Sequence, residues 1–263
     1  MTRLLCSAAL AALLLPPLAH SAPEPASETP DDRQKVSFDL VARATPTGAR
    51  LGLRYRIAPG WHIYWENPGD SGMATSAEVE APDGWSPGDL LYPGPVSFGG
   101  ELVSYGYSEE VTLFVDVERP DAAPGEVTVS SRWLVCREIC EPESGEASLR
   151  IGQPSATPLP GEAALPRAPA DGDGVTVAVA GHALTITVAD GEATLFPTVD
   201  LELALGGNRP SFLREGNAKG GAPSVLRANL PADRTAALRG VLRIERAGEA
   251  TFLDLTIPAP GAP

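Results

Sequence analysis

The residues best suited to chemistry are two cysteines four positions apart, in the stretch Arg132-Trp-Leu-Val-Cys136-Arg-Glu-Ile-Cys140-Glu-Pro. A fully extended chain would hold their Cα atoms roughly 13 Å apart, whereas a disulfide needs about 4.4–6.8 Å. A disulfide therefore requires the chain to turn between them, and the strand pattern ending at Val135 puts that turn at the exposed tip of a hairpin. As a staple, so short a loop contributes only about 2 kcal/mol. As an exchanging pair, it would be accessible and reducible. The third use of two thiolates is to bind a soft metal ion. Arg137 would lower a neighbouring thiol pKa, and Glu138 and Glu141 would raise it. Spacing alone leaves all three uses open.

A second dense segment is Gly60-Trp61-His62-Ile-Tyr64-Trp65-Glu-Asn67-Pro68-Gly69-Asp70-Ser71-Gly72. Its Asn-Pro-Gly-Asp run is a turn signal. His62 beside this aromatic cluster is expected to be structural and hydrogen-bonded. A mixed set of His62 and Met73 with Cys136 and Cys140 would nevertheless suit Cu(I). The later stretch Val96–Tyr107 offers rings, including Tyr105 and Tyr107, that could cover the cysteines or simply form a hairpin. Phosphate loops, metalloprotease helices, calcium loops and nucleophile elbows are absent from the sequence. His182 falls in an inter-strand turn, where solvation is expected.

Compartment and composition narrow the use of the pair. Residues 1–22 carry Arg3, an uncharged Leu/Ala-rich run and small residues near Ala19 to Ala22, which reads as a secretory signal rather than a membrane span. Cys6 would leave with it, so the exported chain keeps Cys136 and Cys140 alone, in an oxidising compartment. The expectation is a periplasmic chain with no membrane span. The whole sequence of 263 residues has 20 Lys plus Arg against 34 Asp plus Glu, a net charge of −14. Losing Arg3 makes that −14 − 1 = −15. So acidic a chain lacks the basic face that nucleic acid requires.

The elements that must position these residues are strands. Period-two alternation in Val36–Val41, Ala49–Ile57, Val111–Val117, Val127–Val135 and Ala147–Ile151 marks a first body, 36–151. Val175–Val179, Ala183–Val188, Val199–Leu205, Val241–Ile244 and Thr251–Ile257 mark a second, 175–257. Pro154, Pro158, Pro160, Pro166 and Pro169 make 152–174 a semi-extended linker. Residues 23–35 read as a disordered lead-in and 258–263 as a tail. The expected architecture is all-β, two antiparallel sandwiches joined by a Pro-rich linker. All four Trp and all five Tyr lie in the first body, which places the chemistry there.

Taken together, Gly60-Trp-His-x-Tyr-Trp-x-Asn-Pro-Gly-Asp-Ser-Gly72, Tyr105-Gly-Tyr107 and Trp133-Leu-Val-Cys136-x-x-x-Cys140-x-Pro142 resemble the periplasmic amino-terminal region of DsbD-type disulfide reductases, in the suppressor-of-copper-sensitivity (ScsB) branch. The resemblance covers 36–151. It implies an immunoglobulin-like sandwich, with a second one following in that branch, and assigns Cys136 and Cys140 as a pair cycling between dithiol and disulfide. It further implies that Tyr105, Tyr107 and Trp133 belong to the shielding and partner-facing surface. Thioredoxin-like proteins or a membrane electron carrier would be the partners. The sequence to Pro263 shows no membrane domain and no thioredoxin-like module, so reduction by a separate protein is expected. The alternative from another class is a non-catalytic copper-handling or adaptor module for copper tolerance.

Overall fold

The computed structural model describes residues 34–99, 102–119, 124–152, 155–205, 223–231 and 233–259. The expected leader with Cys6, most of the lead-in and the end of the tail lie outside these residues. The first body is a sandwich of two antiparallel sheets. One has the order β1 (Val36–Thr45), β2 (Gly48–Ile57), β8 (Glu110–Glu118), β5 (Ser86–Leu91). The other runs β10 (Cys140–Ile151), β9 (Gly125–Cys136), β3 (His62–Gly69), β7 (Val103–Tyr107), β6 (Val96–Gly99), with β4 (Ser76–Glu80) also pairing β9. The stretch Val96–Tyr107 thus forms the β6–β7 hairpin.

Alternation dictates what faces inward. In β9, Val127, Val129, Ser131, Trp133 and Val135 are buried at every second position, as a half-covered sheet requires. Trp133 stands edge-on to Tyr55 at 5.3 Å between ring centroids, and Phe38 leans on both. The polar ends of these rings are satisfied inside: Tyr55 Oη and Ser131 Oγ share a hydrogen bond of 2.7 Å, and Trp133 Nε1 donates to Glu143 at 3.2 Å. Trp133, expected at the partner surface, is a core residue with 0% exposure.

The second body is a smaller sandwich with sheets β11 (Val175–Ala180), β12 (Ala183–Val188), β14 (Ser224–Asn229) and β13 (Glu192–Pro197), β15 (Leu238–Arg246), β16 (Glu249–Ile257). One expected strand is a helix. Val199–Leu205 alternates like a strand, yet α1 spans Val199–Ala204. Leu201 and Leu205, four apart, share one helical face and are buried, while Val199 and Leu203 are exposed. Asp200 and Glu202 sit in the first turn, where the helix dipole favours negative charge.

The Pro-rich segment is also more ordered than a spacer. It forms 3₁₀ turns at Glu162–Ala164 and Asp171–Asp173, and Arg167 bridges to Leu253. Glu162 accepts from Arg43 and from Arg50, the latter at 2.7 Å. Gly94 N donates to Ala164 O at 2.9 Å. The semi-extended linker expected here carries more local order than its composition suggests, because residues between its prolines find backbone and charge partners on both sandwiches. The bodies also touch directly, since Phe196, Val241 and Phe252 of the second belong to the hydrophobic core of the first.

Candidate functional site

Cys136 and Cys140 are joined as a disulfide, their Cα atoms 4.2 Å apart. The geometry follows from the β9–β10 hairpin. Arg137, Glu138 and Ile139 form a three-residue exposed turn, and the register sets Cys140 directly opposite Cys136. On its other side Cys136 lies opposite His62 of β3. Val135 continues the inward set and joins the core, whereas Cys136 points to the opposite face of the sheet. It is nevertheless only 3% exposed, while Cys140 is exposed. Of the two residues expected at the rim, Cys140 is exposed and Cys136 is not.

Tyr64 is what covers the buried sulfur. Directly opposed residues share a face, so His62, Tyr64 and Cys136 stand together. The Tyr64 hydroxyl donates to Cys136 Sγ at 3.0 Å and lies 3.5 Å from Cys140 Sγ. Tyr64 is 2% exposed yet outside the core cluster, because a loop rather than the core encloses it. Gly72 lies flat on its ring: a Cβ there would come within 2.3 Å of Tyr64, and Gly72 has φ +106°. Thr75 Oγ1 donates to the Tyr64 carbonyl at 2.9 Å. Burial pushes the Tyr64 hydroxyl above its ordinary pKa, opposed by hydrogen bonds with Ser104 and Ser71. It is therefore a neutral O–H donor at neutral pH.

The outer surface around the pair is partly apolar. The His62 ring stacks on Phe98 at 4.5 Å and meets Tyr64 edge-on at 5.3 Å. Burial lowers its pKa, favouring neutral imidazole. Trp61 is flanked by the Arg137 guanidinium at 5.0 Å and Lys35 Nζ at 5.5 Å, and Lys35 pairs with Glu141 at 3.4 Å. A cleft of about 640 Å³ is lined by Ile57, Pro59, Trp61, His62 and Phe98 together with the polar Ser108 and Glu109. Ile139, between the cysteines, is 74% exposed.

The other expected site residues fall elsewhere. Tyr105 packs edge-on against Trp65 and Phe196, and burial pushes its hydroxyl up to about 12. Tyr107 donates to Pro93 O at 2.7 Å inside the core. The covering expected of these two rings belongs to Tyr64, which sits on the strand paired with Cys136 rather than one strand further. Met73 is 46% exposed in the 70–75 loop. Among the described residues, no three His, Cys, Asp or Glu side chains converge as a metal site, and the two sulfurs are bonded to each other rather than present as thiolates. In this disulfide form the Cu(I) set of Cys136, Cys140, His62 and Met73 is not assembled as a metal site.

The Asn67-Pro-Gly-Asp run also departs from expectation. Strand β3 continues through Asn67, with a bulge, and turns only at Gly69–Asp70. Asn67 is 4% exposed, and its amide donates to Pro197 O at 2.8 Å and to the Glu202 carboxylate of the second sandwich.

Comparison with known proteins agrees with the geometry. Residues 29–150 match the family model described as thiol:disulfide interchange protein DsbD, N-terminal. The amino-terminal periplasmic domain of ScsB from Proteus mirabilis superimposes with a TM-score of 0.59 at 16% identity, covering 88% of this chain and 96% of that one. The shared arrangement therefore extends over both sandwiches. The reduced DsbD amino-terminal domain of Neisseria meningitidis matches 45% of this chain and 86% of its own at 14% identity, with a TM-score of 0.29. Among the curated proteins none matches this sequence.

Proposed function

We propose, from the match of its first sandwich to the DsbD amino-terminal family model, that this chain is a periplasmic thiol–disulfide interchange module whose Cys136–Cys140 pair relays electrons to partner proteins, thioredoxin-like ones among them, and is itself reduced by a separate protein. The observation that carries the reading is the asymmetry of the pair: Cys140 is an exposed residue, whereas Cys136 is buried with its sulfur accepting from the Tyr64 hydroxyl. Among the described residues no helix is long and apolar enough to cross a membrane.

The chemistry follows from that asymmetry. In the reduced pair the exposed Cys140 thiolate attacks a partner disulfide. A bond forms between Cys140 Sγ and the near partner sulfur, and the far partner sulfur leaves as a thiolate. Cys136, deprotonated, then attacks Cys140 Sγ, closing the Cys136–Cys140 disulfide and releasing the second partner sulfur. Two electrons pass to the partner, and two protons from the cysteine thiols end on its dithiol through solvent. Reduction of this chain is the same sequence reversed: a donor thiolate attacks Cys140 and Cys136 leaves. The leaving thiolate is the one that Tyr64 Oη reaches, and a hydrogen bond to a charged sulfur is stronger than one to a neutral disulfide. Ile139 and the cleft beside His62 offer apolar surface to the residues flanking a partner cysteine.

The test is trapping with a thioredoxin-like protein that keeps a single cysteine, activated as its thionitrobenzoate mixed disulfide. The Cys136→Ser variant, with Cys140 as its thiol, is expected to form a stable covalent complex quickly. The Cys140→Ser variant is expected to react slowly, its sulfur being covered. Complex formation by neither variant, or faster through Cys136, would contradict the reading.

A further inference from the structure

The strand that carries Tyr64 runs on, through a bulge, into the contact between the two sandwiches. Three residues past Tyr64, the Asn67 side chain is buried, and a buried amide must find partners. Its NH₂ group donates outward to Pro197 O and Glu202 of the second sandwich. Its carbonyl oxygen accepts from Gly69 N at 3.1 Å, at the start of the loop that encloses Tyr64. That loop is then pinned by Asp70 N to Val103 O at 2.9 Å, lays Gly72 on the Tyr64 ring and returns through Thr75 to the Tyr64 carbonyl. Trp65, next to Tyr64, is fully buried against Phe196 of the second sandwich. Glu66 faces Arg239 of the same sandwich at 3.3 Å.

From this continuity we propose that the second sandwich is a working part of the redox site, with Asn67 as the positioning residue through which it holds the 69–75 loop and hence Tyr64 over the sulfurs. The second body, which carries no sulfur among its described residues, thereby acquires a task beyond folding. A rigid contact chain can transmit only what changes a specific contact, and here that contact is the Tyr64 hydrogen bond. Its donor favours the thiolate form of Cys136 over the disulfide, so releasing Tyr64 shifts the pair toward the oxidised state. The inference rests on the exchange reading of the pair.

The experiment is a double-mutant cycle on the whole exported chain, equilibrated in glutathione buffers of graded composition, with the fraction of disulfide as readout. Tyr64→Phe is expected to favour the disulfide by about tenfold in the equilibrium constant, which is about 30 mV. Asn67→Ala is expected to shift it several-fold in the same direction, and to shift nothing further when Tyr64→Phe is already present. Glu202→Ala removes one of the two outward bonds from a partly exposed position, and serves in place of Asn67→Ala should that variant fail to fold. An Asn67 or Glu202 variant indistinguishable from the parent, or one whose effect simply adds to that of Tyr64→Phe, would overturn the inference and leave the exchange reading standing. A parent protein that never equilibrates with glutathione would overturn the exchange reading itself.

Discussion

The two sandwiches are built by the same rule, antiparallel strands alternating inward and outward, but from different side chains. The core of the first holds Trp65, Trp133 and Tyr55, and that of the second is made of Leu, Ile, Val and Ala. Aliphatic side chains bury area without direction, which suffices to hold two small sheets together. Aromatic rings with polar ends are held in orientation as well as in place. Tyr55 on Ser131, Tyr107 on Pro93 and Trp133 on Glu143 fix the strands that lead to the sulfurs. Among the described residues, the rings of the second body, Phe196 and Phe252, are used at its junction with the first rather than in its own centre. One sandwich is thus a mount for chemistry, and the other is an aliphatic block that reaches the mount through Asn67.

The strongest way to break this comparison is to remove the sulfurs. The Cys136→Ser/Cys140→Ser double variant is expected to lose all thiol exchange, followed by mixed-disulfide formation, while its unfolding free energy falls by only about 2 kcal/mol. Next come the cores. Trp133→Ala is expected to cost about 3–5 kcal/mol and Leu242→Ala about 2–5 kcal/mol, both by denaturant titration. Only Trp133→Ala should also change the exchange rate measured below its unfolding transition, because only Trp133 lies on the strand that ends in Cys136.

A smaller effect is expected from pH. Burial holds the His62 pKa below its ordinary value, so the unfolded chain binds this proton first as pH falls. Stability is therefore full above the unfolded pKa of about 6.5 and declines as pH drops through that value toward the folded one. His62→Gln should flatten this part of a stability–pH curve, and an unchanged slope would remove His62 as its source. The smallest effect is expected at the exposed Arg132–Glu78 pair, 67% and 76% exposed. Glu78→Gln should alter stability by less than about 0.5 kcal/mol.

Much of this was legible in the sequence, for identifiable reasons. Strands β1, β2, β8 to β12, β15 and β16 follow from alternation, which is local, whereas β3 to β7, β13 and β14 were not read from it; the hairpin tip follows from where β9's alternation ends. Val199–Leu205 was not legible, because Val-Asp-Leu-Glu-Leu-Ala-Leu satisfies a strand pattern and a helix pattern together. Only the docking of Leu201 and Leu205 in the second core decides between them. Asn67 looked like a turn residue, since nothing local announces an acceptor at Pro197. The Pro-rich strap likewise became ordered through partners far away in sequence. Tyr64 stood in the quoted motif, and its place over the sulfur depends on the pairing of β3 with β9. Its signal was its position two residues from His62, on the same strand face, which identifies it once that pairing is known.

The most direct test of the central claim is the equilibrium of the parent disulfide with thiol buffers of graded potential. The account predicts that Cys136–Cys140 is reduced reversibly at potentials less negative than about −300 mV, in the range of exchanging pairs rather than structural staples. A pair that stays oxidised at or below about −300 mV would contradict it and leave a structural disulfide in its place.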